Sequence, residues 1–214
     1  FYQKIDRPLS KIVYKIERNG FKVDPKILTD FESVLENKLK QISTDIYKTV
    51  GIEFNIASPK QLADVLFNRM GISAYKKSKS GNYETGIDVL EELQLQGHTI
   101  ADLLIEWRKL HKLKSTYTTT LISQINPATS RIHTNFLLAL TSTGRFSSIE
   151  PNMQNIPVRG EFADKIRSSF IAPEGYKILS ADYSQIELRL LAHMGNVESL
   201  KSAFKTDQDI HAVT

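Results

Sequence analysis

The chain has 214 residues, 41% hydrophobic and 24% charged, with 28 Lys and Arg against 24 Asp and Glu, no cysteine and a formal net charge of +4. That balance fits one or two globular units with a real core, excludes disulfide scaffolds and thiolate metal sites, and permits a polyanionic partner without requiring one. No run of about 18 apolar residues offers a membrane span and the opening "FYQKIDRPLS" lacks a signal-peptide layout, so no membrane and a cytoplasmic location are expected.

The first two-thirds reads as helices. "SKIVYKIERNGFKVDP" predicts a short helix with Val13 and Ile16 inward, stopped at Asn19-Gly20. Asp24-Pro25 then supplies a cap and a first helical residue. Leu28, Phe31, Leu35, Leu39, Ile42 and Ile46 follow as one apolar stripe, which predicts a helix of roughly 25 residues in need of a partner. Ser58-Pro59 opens a second helix through Leu62, Val65 and Leu66 that ends before Gly71, and "DVLEELQL" forms a third. Thr99 with Asp102 has capping-box spacing before Ile100, Leu103, Leu104, Trp107, Leu110 and Leu113.

Two polar stretches interrupt these helices. "SAYKKSKSGNYETG" reads as a surface loop, or as a phosphate-touching tip built on Lys76, Lys77 and Lys79. In "RKLHKLKSTY", Arg108, Lys109, Lys112 and Lys114 either solvate a helix face or meet a nucleic-acid backbone, with Ser115, Thr116 and Tyr117 adding hydrogen-bonding groups.

After Asn126-Pro127 the pattern changes. "RIHTNFLLALTSTG" predicts a strand running into a polar turn, and "GYKILSAD" predicts a second, so the fold class is α+β: a helical arm inserted beside a mixed sheet with helices. The second strand delivers Asp182 at its tip, where an unpartnered buried carboxylate would cost several kcal/mol. It either caps the next helix or holds a divalent cation through oxygen ligands. Ser184 and Glu187 in "SQIE" have capping-box spacing for a helix with Ile186, Leu190 and Met194 inward. His193 on that helix reads as an ordinary packed histidine as readily as a functional one. The first residue, Phe1, and the helix-opening "DQDIHAVT" suggest a piece of a longer protein.

"TSTGRFSSIEPNMQNIPVR", "LSADYSQIELRLLAH" and "DIHAVT" closely resemble the DNA polymerase I family, the family A DNA polymerases of bacterial type. The likeness extends through "IERNGFKVDP", "FNIASPKQLADVLF", "DVLEEL" and "KLKSTYT" and so covers nearly the whole chain in order. It implies a palm segment over 1–24, a helical thumb over 25–125 and a partial palm with motif A over 126–214, running into the fingers. The implied activity is template-directed nucleotidyl transfer from a deoxynucleoside triphosphate to a primer 3′-hydroxyl, in replication and repair, by a monomer on primer-template DNA. The resemblance makes Asp182 catalytic and, with the main-chain carbonyl of Tyr183, a ligand of two Mg²⁺ ions, weakly held or absent in this fragment. Glu187 takes the place of the sugar gate, Arg145, Asn152 and Gln154 of the residues along the primer-template minor groove, with the alternative that Asn152 and Gln154 merely close turns after Pro151, and Arg159 and His211 of those near the incoming triphosphate. The second metal carboxylate and the fingers helix of the family would follow Thr214, so the fragment alone is expected to be inactive. A non-catalytic DNA-binding module, or a degenerate relative lacking the second carboxylate, stays open as the alternative.

Overall fold

Helix α1, Arg7–Asn19, follows a wide π-type turn over Tyr2–Asp6 and stops at Gly20, whose φ of +61° lets the chain turn directly into β1, Phe21–Lys22. A Cβ on Gly20 would stand 2.7 Å from both the Ile132 carbonyl and the His133 ring, so only glycine fits this crossing. Val13 is buried as expected, but Ile16 is 41% exposed. The helix meets its neighbours chiefly through β4 and the preceding turn, so its buried face is too narrow to cover both residues. A computed structural model of the chain describes residues 1–73 and 83–206; they fall into two compact units, Phe1–Pro173 and Glu174–Thr214.

Helix α2 spans Pro25–Val50, and its N-cap Asp24 accepts a hydrogen bond from the Lys26 amide at 2.9 Å. The predicted stripe is the packed face: Leu28, Phe31, Leu35 and Ile46 are buried, and Leu39 and Ile42 are partly so. Helix α3, Pro59–Ala63, opens on Ser58 and continues through a π-type turn, Asp64–Arg69. Helix α4 covers Ile87–Leu95 and α5 covers Thr99–Lys112. The cap of α5 is His98, one residue before the predicted box. Asp102 instead accepts from the Gln94 side-chain amide, which ties α4 to α5. A third π-type turn, Leu113–Thr119, leads into α6, Thr120–Ser123.

Two cores hold this unit. One joins Ile46 of α2 to Leu62, Leu66, Leu90, Leu93, Leu104 and Trp107, the Trp107 indole donating to the Ser43 hydroxyl at 2.9 Å. The other collects Val23, Leu28, Phe31, Leu35, Leu110, Leu121, Ile132, Phe162 and Ile166. Residues on both sides of positions 24 and 125 therefore share one core.

The short strands β2, Ile125–Asn126, and β3, Arg131–Ile132, complete an antiparallel sheet in the order β1-β3-β2, with Ile132 opposite both Phe21 and Ile125. The single strand predicted over "RIHTNFLLALTSTG" is broken in two: β4, Asn135–Leu137, pairs instead with β5, Ser147–Ile149, Phe136 standing opposite Ser148. Helix α7, Ala163–Ser168, closes the unit against α2.

In the second unit α8, Ile186–Met194, packs on α9, Glu198–Lys205, burying Ala192 and Ala203 while Arg189 lies 4.4 Å over the Phe204 ring. The predicted strand over "GYKILSAD" is not formed, and Leu179 is 90% exposed. A strand needs a ladder partner, and among the described residues this unit has no other strand. Ile186, Leu190 and Met194, expected inward, are exposed, because α9 covers only the alanine side of α8.

Candidate functional site

Sequence places the nucleic-acid groups of the first unit on the α5–α6 passage and on the loop after β5, and the fold brings these two segments together. The Tyr117 hydroxyl donates to the Asn155 carbonyl at 2.7 Å, pinning the π-type turn to that loop. Beside this contact lies an open cleft of about 240 Å³ bordered by Lys109, Lys112, Tyr117, Arg159 and Glu161. Lys109 is compensated by Glu106 at 3.5 Å and Glu161 by Lys38 at 3.2 Å. Among the described residues Lys112 and Arg159 form no ion pair, so the cleft carries net positive charge suited to a phosphate oxyanion.

The neighbouring cations are differently engaged. Lys114 is paired with Glu36 of α2 at 2.7 Å. Arg108, read from sequence as solvating a helix face or meeting a nucleic-acid backbone, does neither and is half-buried: its guanidinium donates to the Thr85 carbonyl and, at 3.3 Å, to the Thr85 hydroxyl, and burial pushes its pKa below the ordinary value. The π-type turn is pinned by Glu32 of α2, whose carboxylate accepts from Thr119 and from Thr118 at 3.3 Å. Ser115 and Thr116 are left exposed at the surface of that turn. Lys76, Lys77, Lys79 and His211 lie outside the described residues.

The loop after β5 presents Asn152 and Gln154, both exposed. The Asn152 side chain accepts the Gln154 amide at 3.0 Å, so it builds the turn whose other end carries Gln154. Arg145 is exposed before β5, and its carbonyl accepts from the Thr141 hydroxyl at 2.7 Å. Sequence reasoning missed the supports beneath these residues. Glu32 and Glu36 sit on the polar flank of an amphipathic helix, and Thr134 occupies a place in an alternating run where a threonine reads as facing water.

In the second unit Asp182 and Tyr183 are exposed and lie outside any helix or strand, while Glu187 is in the first turn of α8. The predicted capping box is not formed: the cap position is Gln185, in the left-handed region at φ +51° and without a side-chain cap bond, and the Ser184 carbonyl accepts from the Arg189 side chain at 2.9 Å. His193, an exposed residue in the last turn of α8, is not the packed histidine that sequence allowed. Among the described residues no three His, Asp or Glu side chains gather to hold a metal. A Mg²⁺ ion takes six oxygen ligands and keeps several of them as water, held by one or two carboxylates and substrate phosphates, so Asp182 and the Tyr183 carbonyl fit as part of such a site and do not complete one.

Residues 25–214 match the family model for DNA polymerase family A. The chain is 46% identical to the DNA polymerase I of Rhizobium leguminosarum over 213 residues, 100% of this chain and 21% of that protein. With the DNA polymerase I of Caldicellulosiruptor bescii it shares 44% identity over 100% of this chain and 25% of the relative. With the thermostable DNA polymerase I of Thermus filiformis it shares 41%, again over 100% of this chain, and 26% of the relative. It thus spans about a quarter or less of these relatives' length. The POL domain of Pol1 from M. smegmatis, in complex with DNA primer-template and dNTP, matches with a TM-score of 0.87 and 35% identity over 98% of this chain and 37% of its own.

Proposed function

The chain belongs to DNA polymerase family A, and from that premise we propose that it is the thumb (25–125) and the motif A part of the palm (126–214, with 1–24) of a DNA-directed DNA polymerase. The complete protein transfers nucleotides from dNTPs to a primer 3′-hydroxyl, as a cytoplasmic monomer acting in replication and repair. The observation that carries this reading is the convergence of Lys112, Tyr117 and Arg159 on one cationic cleft beside the loop bearing Asn152 and Gln154. Phosphate contacts fix register on a duplex, while minor-groove donors test pairing geometry without reading sequence, because acceptors there recur at similar positions in every base pair. In this reading Arg145, Asn152 and Gln154 are those donors, and Lys112, Ser115, Thr116, Tyr117 and the lysines at 76, 77 and 79 line the backbone path, with Lys114 held back on Glu36. Arg159 and His211 serve the incoming nucleotide, and Glu187 excludes a ribose 2′-hydroxyl. Asp182 contributes one carboxylate toward the two Mg²⁺ ions of the complete enzyme.

The test is primer extension by the complete polymerase with Mg²⁺ and all four dNTPs, comparing wild type with Asp182→Asn. Extension should be abolished while primer-template affinity is retained. Extension that survives Asp182→Asn would remove the carboxylate from the chemistry. A complete protein that binds duplex yet never extends would favour the non-catalytic binder. The isolated 214-residue chain should give no templated product.

A further inference from the structure

The loop that carries Asn152 and Gln154 hangs from two buried hydroxyls. Thr134 is 1% exposed and Ser148 is fully buried. The Thr134 Oγ1 lies 2.7 Å from the Ser148 Oγ, 2.8 Å from the Pro151 carbonyl and 2.9 Å from the Ile149 carbonyl. The Ser148 Oγ in turn accepts the Met153 N–H at 2.9 Å. With one proton on each hydroxyl, the pattern that uses every short contact is a relay: Met153 N–H donates to Ser148, Ser148 to Thr134, and Thr134 to the Pro151 and Ile149 carbonyls. The relay grips the peptide group before Asn152 and the one after it. Because the Asn152 side chain then receives the Gln154 amide, both exposed side chains take their direction from this pair of hydroxyls.

We propose that Thr134 and Ser148 are positioning residues for minor-groove recognition, holding Asn152 and Gln154 at the spacing at which their donors meet the base acceptors of the primer end. The proposal rests on the minor-groove reading of Asn152 and Gln154 given above. A buried, fully satisfied polar relay fixes one arrangement of the backbone, whereas losing one member strands an N–H or C=O with no water to replace it, so the loop must move. Supporting groups of this kind decide whether a recognition site is held to within a fraction of an ångström.

The experiment uses the complete polymerase and primers ending in adenine or in 3-deazaadenine, which lacks the N3 minor-groove acceptor. Wild type should extend the adenine end roughly tenfold more efficiently, as expected for one lost hydrogen bond in a dry site. In Thr134→Val, which keeps the shape and removes the hydroxyl, that preference should fall by roughly a factor of three or more, whereas Thr134→Ser should restore it. Ser148→Ala should repeat the loss and serves as the second probe should the valine variant fold poorly. Gln154→Ala and Asn152→Ala mark the level reached when the donors themselves are gone. A preference that stays at the wild-type value in Thr134→Val and Ser148→Ala, even with lowered overall efficiency, overturns the proposal and leaves a structural role only. A wild-type enzyme that does not distinguish the two primers, or alanine variants at 152 and 154 that keep its preference, overturns the minor-groove reading and the proposal with it.

Discussion

Lys112 and Lys114 are two residues apart in the sequence, yet the structure gives them different electrostatic standing, and duplex affinity measured against salt separates them. Each phosphate neutralised on duplex DNA steepens the slope of log affinity on log salt by about 0.9. Lys112 lines the open cleft with Arg159 and forms no ion pair among the described residues, so Lys112→Gln should flatten the slope by about 0.9. Between about 50 and 200 mM salt the variant should therefore lose roughly 3.5-fold less affinity than wild type does. Lys114 is held against Glu36 at 2.7 Å, with the lysine side chain 29% exposed, and the pair presents no net charge to DNA. Removing both partners at once, Lys114→Gln with Glu36→Gln, should leave the slope unchanged; removing Lys114 alone would expose an uncompensated carboxylate and confuse the comparison. The assay is fluorescence anisotropy of a labelled primer-template with the complete polymerase over that salt range. Equal flattening by Lys112→Gln and by the double variant would show that Lys114 leaves Glu36 to meet a phosphate, and would refute the assignment drawn from the ion pair.

Glu187→Ala in the complete polymerase should raise ribonucleotide relative to deoxyribonucleotide incorporation, and Glu187→Gln, which keeps the volume, should not; kcat/KM ratios for matched nucleotides decide it, and a flat ratio removes the gate. Leu104→Ala empties a fully buried position between α2, α4 and α5 and should cost about 2–5 kcal/mol in urea unfolding. Asp24→Ala deletes the bond to the Lys26 amide and should cost about 0.5–2 kcal/mol, with Asp24→Asn recovering most of it.

The helical part was legible because its signals are local. The six-residue stripe of α2 and the Asp24-Pro25 start are read from residues three or four apart, and packing agreed with them. What failed needed a distant partner. Ile178 and Leu179 have the composition of a strand, but a strand exists only in a ladder, and the second unit offers none among the described residues. The box predicted at Thr99 was lost to His98 because Asp102 had a longer-range use on Gln94. In the candidate site, Lys112, Tyr117 and Arg159 could be named from the chain, but their meeting around one cleft depends on contacts spanning some forty positions, such as Tyr117 to Asn155. The relay of Thr134 and Ser148 left no trace in the sequence, since isolated hydroxyls in alternating runs look like solvent-facing residues.

The uncovered run from Tyr176 to Leu179 bears on how these 214 residues behave in a tube. Tyr176, Ile178 and Leu179 are 74%, 65% and 90% exposed, in a short β-prone stretch outside any ladder. Such a stretch, in which Lys177 is the single charge, is a template for edge-to-edge pairing between copies, and added lysines on an exposed edge are the means by which natural sheets block that growth. Leu179→Lys should therefore keep the isolated chain dispersed at concentrations where the unaltered chain scatters light, without touching either core of the first unit.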